Sequence, residues 1–435
     1  MKHRATSVLA AFMLVWAVNA AWADWTHYAG NPQRNSTSSL PAGIDLSAPV
    51  GIAAPVSGAL VGATSPMVYN GRLYAHGVRS SDGQSALFCF DIASGAELWT
   101  APVGIDPWGS WASPAVDPTT NSVMLGAANT MVCVDATTGT SKWVSNPTFT
   151  NDVANCSPLV LGNRIFVADS GWSNTGQSYV YSVRMSDGTI DWSQPIGTMT
   201  GTTLAADPSG ANVYVADSDG ANGWIRGFSA LDGTPGINQQ IDTGNGGFWG
   251  GVSMNAGALY AVNYPFSGDF DATLYKINPA DGSVIWSEPA VRGDTMPVVA
   301  NGMVFLSGGN TSTYVQAFDD ATGDLLWTFD QAGDWTQQAL YADGLLYVGQ
   351  GVAGSWDPDP ALALYVLDTS LTPADPGFVV DTYVGAGSSP ALGSDLYTIG
   401  AAGIYHFALV PEPATVALVA AGVVCLLLRR RRRRS

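Results

Sequence analysis

Apolar residues in this chain come in short runs that recur at a fixed interval. Eight runs are marked by the pairs Leu73-Tyr74, Val123-Met124, Ile165-Phe166, Val213-Tyr214, Leu259-Tyr260, Val304-Phe305, Leu346-Tyr347 and Leu396-Tyr397. Each follows a small or hydroxyl-bearing residue and a further strand-forming stretch. The signal is clearest at Ser65-Pro66, Ser113-Pro114, Ser157-Pro158 and Ser389-Pro390, and looser at Thr203-Leu204, Ser253-Met254, Met296-Pro297 and Ala339-Leu340. From Tyr74 to Tyr397 the mean spacing is about 46 residues, a period typical of one propeller blade.

A second pattern interleaves with the first. Asp91, Gly95 and Trp99 stand four residues apart, as do Asp135, Gly139 and Trp143, and Asp319, Gly323 and Trp327. Degenerate copies follow the same spacing at Asn278, Gly282 and Trp286, at Arg184, Gly188 and Trp192, and at Ser229, Gly233 and Ile237, while the copy near Asp368 is stretched by Pro373 and Pro376. Chemically this is a hairpin turn. The carboxylate can accept bonds from backbone N–H groups two residues on, and glycine accepts the positive φ that a Cβ would oppose. Each repeat therefore predicts four short strands, two before the hairpin and two forming it.

The eighth repeat stops at Ile404 to Leu409 without an outer strand. Residues 44–56 have apolar spacing suited to supplying it, so the first and last segments would join and close the ring, leaving only short protected edges. Fifty Gly, 25 Pro and 15 Trp with 12% charged residues agree with many strands, tight turns and an aromatic core, not with long charged helices. The expectation is an all-β, eight-bladed β-propeller with four-stranded blades over residues 24–409.

The two ends carry different information. Lys2 and Arg4, an apolar run from Val8 to Ala20 and the small-x-small site Ala21-Trp22-Ala23 predict a secretory signal peptide over residues 1–23. At the other end Pro411-Glu412-Pro413 precedes the apolar stretch Ala414 to Leu428 and six arginines, Arg429 to Arg434. A basic block after an apolar span stays on the cytoplasmic side and predicts a membrane-inserted tail with the body outside. Between these ends nine Lys and Arg face 34 Asp and Glu, a net charge of −25. Such an acidic body disfavours nucleic acid and suits solubility outside the cell or the binding of cations.

Two resemblances follow from these residues. The tail, residues 410–435, resembles the PEP-CTERM sorting signal of Gram-negative bacteria. That resemblance implies that Pro411, Glu412 and Pro413 are read by an exosortase, a membrane protease of transpeptidase type, with transient insertion in the inner membrane followed by release to the cell surface or extracellular matrix. The Asp-x-x-x-Gly-x-x-x-Trp repeat, with the opening Asp24-Trp25-Thr26-His27-Tyr28-Ala29-Gly30-Asn31-Pro32-Gln33-Arg34, resembles the pyrroloquinoline quinone (PQQ)-type β-propeller repeat. In that family the repeat tryptophans dock on adjacent blades, which here implies Trp99, Trp143, Trp192, Trp286 and Trp327. A flat side chain there closes the gap between blades, with its indole N–H bonded to a backbone carbonyl.

The family spans quinoprotein dehydrogenases, which hold PQQ with Ca²⁺ in the central channel, and non-enzymatic members such as the outer-membrane assembly lipoprotein BamB. Fold alone does not separate them. The sequence lacks the adjacent cysteines common in the enzymes and is poor in basic residues that could meet the quinone carboxylates, so no catalytic or cofactor-binding residue is assigned. Cys89, Cys133 and Cys156 are too few for a disulfide framework. Cys89 and Cys133 hold equivalent strand positions, either as buried small side chains or as a bridge between neighbouring repeats. His27, His76 and His406 are scattered. Acidic loops at Asp217, Asp219 and Asn222, at Asp269 and Asp271, and at Asp357 and Asp359 could offer oxygen ligands to calcium, but none has EF-hand spacing, and turn formation is the better account of them.

Aromatic residues on Gly-rich connections are the remaining candidates. Trp108, Trp111, Phe248, Trp249 and Trp335 follow outer strands and precede the next blade's inner strand, which puts them on one face near the channel. There they could stack on a sugar or clamp a peptide, or simply pack between blades. The functional expectation is a non-catalytic, monomeric binding or scaffold module for a surface protein or exopolysaccharide. The alternative is a PQQ- and Ca²⁺-dependent oxidoreductase. Sorting has its own test: mass spectrometry of the surface-released protein should find a C-terminus near Pro411, and retention of Arg429 to Arg434 would refute it.

Overall fold

In the computed structural model, which describes residues 24–38, 43–105, 110–153, 155–171, 176–198, 202–309, 312–351 and 361–409, every regular element is a β-strand. The strands form eight antiparallel sheets, each a propeller blade. The sixth blade is representative: Val298–Ala300, Met303–Gly308, Tyr314–Asp319 and Leu325–Phe329 pair in sequence order from the channel outward. The first blade gains Gly58–Leu60 on the far half of its second strand, and the seventh gains Thr37–Ser38, parallel to its inner strand. Middle strands such as Met303–Gly308 are buried along nearly their whole length, whereas outer strands alternate or lie open.

The predicted turn has a definite geometry. Asp319 Oδ1 accepts from the N–H groups of Ala321 and Thr322, both at 2.9 Å, and the Gly323 N–H donates to the Asp319 carbonyl at 2.8 Å. A bulge at Ala317/Phe318 bends the hairpin just before it, and the same irregularity recurs at Cys89/Phe90, Cys133/Val134, Ser182/Val183 and Lys276/Ile277.

Gly and Trp of this motif act between blades. A Cβ on Gly139 would lie 2.6 Å from the Trp99 ring, and one on Gly188 2.6 Å from Trp143. The glycine of one blade is thus the seat for the tryptophan of the blade before. Gly233 receives Trp192 and Gly323 receives Trp286 in the same way, while Ile237 takes the indole's place over Gly282 and Trp327 meets Phe378 edge-on at 5.2 Å. The expected indole bond forms from Trp143 to the Met185 carbonyl (2.7 Å) and from Trp286 to that of Asp320 (3.0 Å). It does not form from Trp99 or Trp192, whose Nε1 atoms are buried without a partner. The equivalent carbonyls, Ala136 and Ala230, are occupied by Arg72 and Arg164.

Near the channel a second set of contacts joins the blades, and it explains the Ser-Pro pattern. The Ser65 N–H donates to Ser113 Oγ at 2.9 Å, Ser113 N–H to Ser157 Oγ at 2.9 Å, and Ser157 N–H to Thr203 Oγ1 at 3.2 Å. Further round, Ser253 Oγ donates to the Pro297 carbonyl, Met296 N–H to Gln338 Oε1, and Gln338 N–H to Ser389 Oγ. A weaker contact of 3.4 Å from Ser65 Oγ to the Pro390 carbonyl joins the eighth blade to the first. These inner positions cannot be wetted, so each backbone N–H needs an acceptor from its neighbour.

Closure comes from the N-terminal side. Gly51–Ala53 pairs antiparallel with Gly403–Phe407, forming the eighth blade's outer strand, and Ile44 bridges Leu409. Only 51–53 of the expected 44–56 is strand, because the chain then turns to add Gly58–Leu60 to the first blade. A Cβ on Gly95 would meet the Ile52 carbonyl at 2.5 Å, so the closing strand replaces the indole at this junction. Residues 24–38 line the inner strands in turn: Trp25 pairs with Val68, Thr26 accepts from Val116, His27 Nε2 from Val160, Pro32 from Ala206, Gln33 from Met254 and Ser36 from Tyr341.

Arg34, fully buried, ties this segment in place. Its guanidinium donates to the carbonyls of Leu204, Tyr28, Ser157 and Pro158 at 2.8–3.1 Å. Replacing Arg34 with Met should lower stability by about 3 kcal/mol, because several buried acceptors lose their donors, and Arg34→Lys should recover only part, since an ammonium cannot reproduce the fork. Chemical denaturation followed by tryptophan fluorescence measures both; a Lys variant as stable as the parent would contradict this role.

Candidate functional site

Aromatic side chains from distant parts of the ring meet at one mouth of the channel. Trp111 lies on the connection between the first and second blades, Trp249 between the fourth and fifth, and Trp335 between the sixth and seventh; Tyr264 and Phe266 lie on the loop after the fifth blade's second strand. Trp111 and Trp335 are edge-to-face at 5.4 Å, Trp335 and Tyr264 are 5.7 Å apart, and Tyr264 and Phe266 are 5.4 Å apart. Trp249 completes the group against Phe266 at 5.5 Å and Tyr264 at 6.3 Å. Contact between connections so far apart in the ring order means that the cluster reaches across the mouth. Tyr264 is buried, the three tryptophans are half-buried and Phe266 is exposed.

The polar groups beside the cluster are mostly acidic. Arg292 stacks 5.0 Å from the Tyr264 ring, donates to the Pro265 carbonyl at 3.1 Å and pairs with Asp269 at 3.2 Å. Burial raises the Tyr264 hydroxyl's pKa; the charges of Asp294, Asp334 and Asp269 add to this and that of Arg292 opposes it. Asp334 accepts at Oδ1 from the N–H and hydroxyl of Thr336. Burial, partly opposed by those bonds, pushes its carboxyl up to about 6.

Asp294 is fixed through its backbone. Its backbone N–H donates to the Trp335 carbonyl at 2.7 Å, and its main chain lies against Gly250, where a Cβ would be 2.7 Å from the Asp294 carbonyl carbon. The backbone is therefore held between the two tryptophan-bearing connections. The residue is 8% exposed, Oδ1 has no hydrogen-bond partner, and burial alone pushes the carboxyl up to about 8.

The sequence-based candidates divide. Trp111, Trp249 and Trp335 converge at the mouth. Phe248 does not: it is 1% exposed, edge-on to Tyr275 at 5.8 Å and pressed over Gly223, so it is a core residue and not a ligand-contact aromatic. Alternation along the chain explains this, since Trp249 faces outward and its neighbour must face in. Trp108, Asp357, Asp359 and the sorting residues Pro411, Glu412 and Pro413 lie outside the described residues.

Asp217, Asp219 and Asn222 serve different partners. Asp217 is buried and pairs with Arg226 at 2.6 Å. Asp219 is exposed and accepts from Ala221, Asn222 and Trp224; slight burial opposes ionisation, but these bonds outweigh it and hold the carboxyl at about 2. The three are a turn and a strand-end ion pair. Cys89, Cys133 and Cys156 are free and buried. Sequence reasoning missed Asp294, Tyr264 and Arg292, because nothing near Val291-Arg292-Gly293-Asp294 or Tyr264-Pro265-Phe266 repeats in other blades. That irregularity is itself the signal that could have found them.

The architecture is that of an eight-bladed propeller of the PQQ type, and comparison with known proteins agrees. The family model described as "Outer membrane protein assembly factor BamB" matches residues 83–248 and 212–355, more than half of the chain, so the chain belongs to that family. The PEP-CTERM protein-sorting motif matches residues 409–433 and indicates export and surface localisation through an exosortase. No curated protein matches the chain in sequence. Among solved structures it is similar to quinohemoprotein alcohol dehydrogenase from Comamonas testosteroni (13% identity, TM-score 0.69, covering 89% of this chain and 80% of that one). It is also similar to a europium-containing methanol dehydrogenase (11% identity, TM-score 0.65, 86% and 89% covered) and to BamB from Moraxella catarrhalis (16%, 0.55, 82% and 99%). At these identities the likeness is one of fold.

The resemblance to the PQQ-type repeat makes PQQ with calcium the group to test against the channel. The residues described there do not fit it. Arg34 spends its guanidinium on four backbone carbonyls, and the Arg292 charge is already answered by Asp269. The described residues include no grouping of three or more acidic, histidine or cysteine side chains placed to hold a metal ion.

Asp294 makes a prediction about pH. A carboxyl whose folded value is raised from 3.8 to about 8 binds more protons folded than unfolded between those limits, so its contribution to stability falls as pH rises through that window. Asp294→Asn should therefore raise the denaturation midpoint relative to the parent at pH 8 and by much less at pH 4. Equal shifts at both values would show that the carboxylate is compensated.

Proposed function

We propose that this protein is a non-catalytic, monomeric binding or scaffold module on the cell surface, and that it recognises a surface protein or an exopolysaccharide through the aromatic mouth of its channel. The observation that carries this reading is the convergence of half-buried Trp111, Trp249 and Trp335 from three separate connections, flanked by exposed Phe266. Aromatic faces on connections anchored by a rigid ring suit stacking against a sugar ring or an apolar side chain. Membership in a family whose model is described as an assembly factor also supports a binding role. Export would place the mouth in contact with extracellular partners, after transient anchoring by the apolar stretch 414–428 and exosortase cleavage near Pro411–Pro413.

The second reading, a PQQ- and Ca²⁺-dependent oxidoreductase, draws on the fold shared with the alcohol dehydrogenases. One experiment separates the two. The purified mature protein is screened on a glycan array and against extracellular-matrix proteins, and in parallel incubated with PQQ and Ca²⁺ while quinone absorbance and dye reduction are followed. Binding weakened about tenfold or more by Trp249→Ala or Trp111→Ala is expected, in line with the loss of an aromatic anchor. Stoichiometric quinone uptake with turnover would overturn the binding reading in favour of the enzyme.

A further inference from the structure

The sorting motif grows directly out of the fold. The eighth blade's third strand ends at buried Phe407, and the two residues after it are still tied down. The Ala408 carbonyl accepts from the Asp45 N–H at 3.4 Å, Leu409 bridges Ile44, and the Leu409 N–H donates to Asp395 Oδ1 at 3.0 Å. Asp395 lies in the turn between the blade's inner strands, Ala391–Leu392 and Leu396–Gly400, and its Oδ2 is 2.7 Å from His406 Nε2. The His406 ring in turn stacks on Tyr397 at 4.9 Å. A carboxylate held by a stacked histidine is a fixed acceptor, and an N–H bond to a charged acceptor is stronger than a neutral one.

The other wall of this root is the N-terminal segment. Asp381 stands four residues after Gly377, where five other blades have the docking tryptophan, and its Oδ2 accepts from the Leu46 N–H at 3.0 Å. Leu46 is fully buried there, and Ile44, Tyr383 and Leu409 pack against the same apolar cluster. Leu409 is therefore part of the ring. It is also the first residue of the sorting-motif match, 409–433, and only Val410 separates it from Pro411.

That overlap creates a conflict. An enzyme that takes its substrate as an extended strand pairs with the substrate's backbone groups, so a cut near Pro411–Pro413 needs free residues on its amino side. The residues in that position, Ala408 and Leu409, have backbone groups committed to Asp45 and Asp395. Reach is a second limit. The five residues from Leu409 to Ala414 span at most about 18 Å, so insertion of 414–428 would hold the eighth blade close to the membrane surface.

We propose that the Asp395–His406 clamp gates processing: the motif is cut only from the minor population in which Ala408 and Leu409 have peeled off the eighth blade. This inference rests on the reading that the tail is membrane-inserted and cut near Pro411–Pro413. The cut itself is an acyl transfer, in which a peptide bond breaks, its acyl group passes to water or an acceptor amine, and the amine of the membrane-side fragment leaves. Peeling costs the ring no strand, because Gly51–Ala53 pairs with Ile404, Tyr405 and His406 and Leu46 keeps its bond to Asp381. When opening is fast relative to cutting, the rate follows the open population, so a weaker clamp releases the protein sooner.

The test follows the full chain in cells that carry an exosortase, by pulse labelling and by mass spectrometry of the C-terminus. Asp395→Ala should be processed about tenfold faster, in line with the loss of a bond to a charged acceptor. His406→Phe, which keeps a ring on Tyr397 without the bond to Asp395, should be accelerated less. A Gly-Ser-Gly-Ser insertion between Leu409 and Val410 leaves every described contact in place and should be processed at least as fast as Asp395→Ala. Adding Asp395→Ala to the insertion should then change nothing. The insertion carries the test even where Asp395→Ala fails to fold. Unchanged processing of the insertion variant would overturn the proposal, and so would slower processing, which would mark the blade as a docking surface for the enzyme. Retention of Arg429 to Arg434 in every form would instead refute the reading of the tail, and the proposal with it.

Discussion

Eight twisted sheets make a closed ring only if each presents to the next a face of the right depth, and the Gly–Trp contact sets that depth at the periphery. Where a Cβ would come within 2.6 Å of an indole, as at Gly139 and Gly188, the wedge between blades has no slack. The inner hydroxyl and amide contacts set the other end of the wedge. Ser113, Ser157, Thr203, Gln338 and Ser389 each accept a neighbour's N–H, so inner strands too short to hold a sheet by themselves are fixed laterally. Blade junctions that lack the indole use Ile237 or the closing strand at Ile52 at the same place.

With the ring closed, its centre must be filled or wetted, and the N-terminal segment fills part of it. Residues 24–38 satisfy inner-strand groups in blade after blade, and Arg34 gathers four carbonyls that no strand pairing can reach. His27 shows the same economy. It lies fully buried, and its ring accepts from Val160, so burial and the nearby Arg34 charge together lower its pKa to about 3 and keep it neutral. The Arg34 guanidinium is committed to backbone carbonyls.

The opposite situation holds at the aromatic mouth. There the connections are anchored by their backbones, and the rings of Trp111, Trp249, Trp335, Tyr264 and Phe266 pack on one another across the mouth. The body as a whole is acidic, nine basic against 34 acidic residues.

How much of this was legible beforehand depended on repetition. Eight copies of the Ser-Pro and aromatic-strand pattern, and the Asp, Gly and Trp spacing around Phe318 to Trp327, determined the blade count, the turns and the docking tryptophans, because local chemistry repeated often enough outweighs degenerate copies. The tail Pro411-Glu412-Pro413 with its arginines likewise carried its meaning without any fold. Tertiary structure alone decided that Phe248 turns inward while Trp249 turns out, that Trp99 and Trp192 lose their carbonyls to Arg72 and Arg164, and that Asp294, Tyr264 and Trp335 come together. Those outcomes depend on contacts between segments far apart in the chain. The period of a sequence reports what every blade shares, whereas a site at the axis is built from what each connection has of its own.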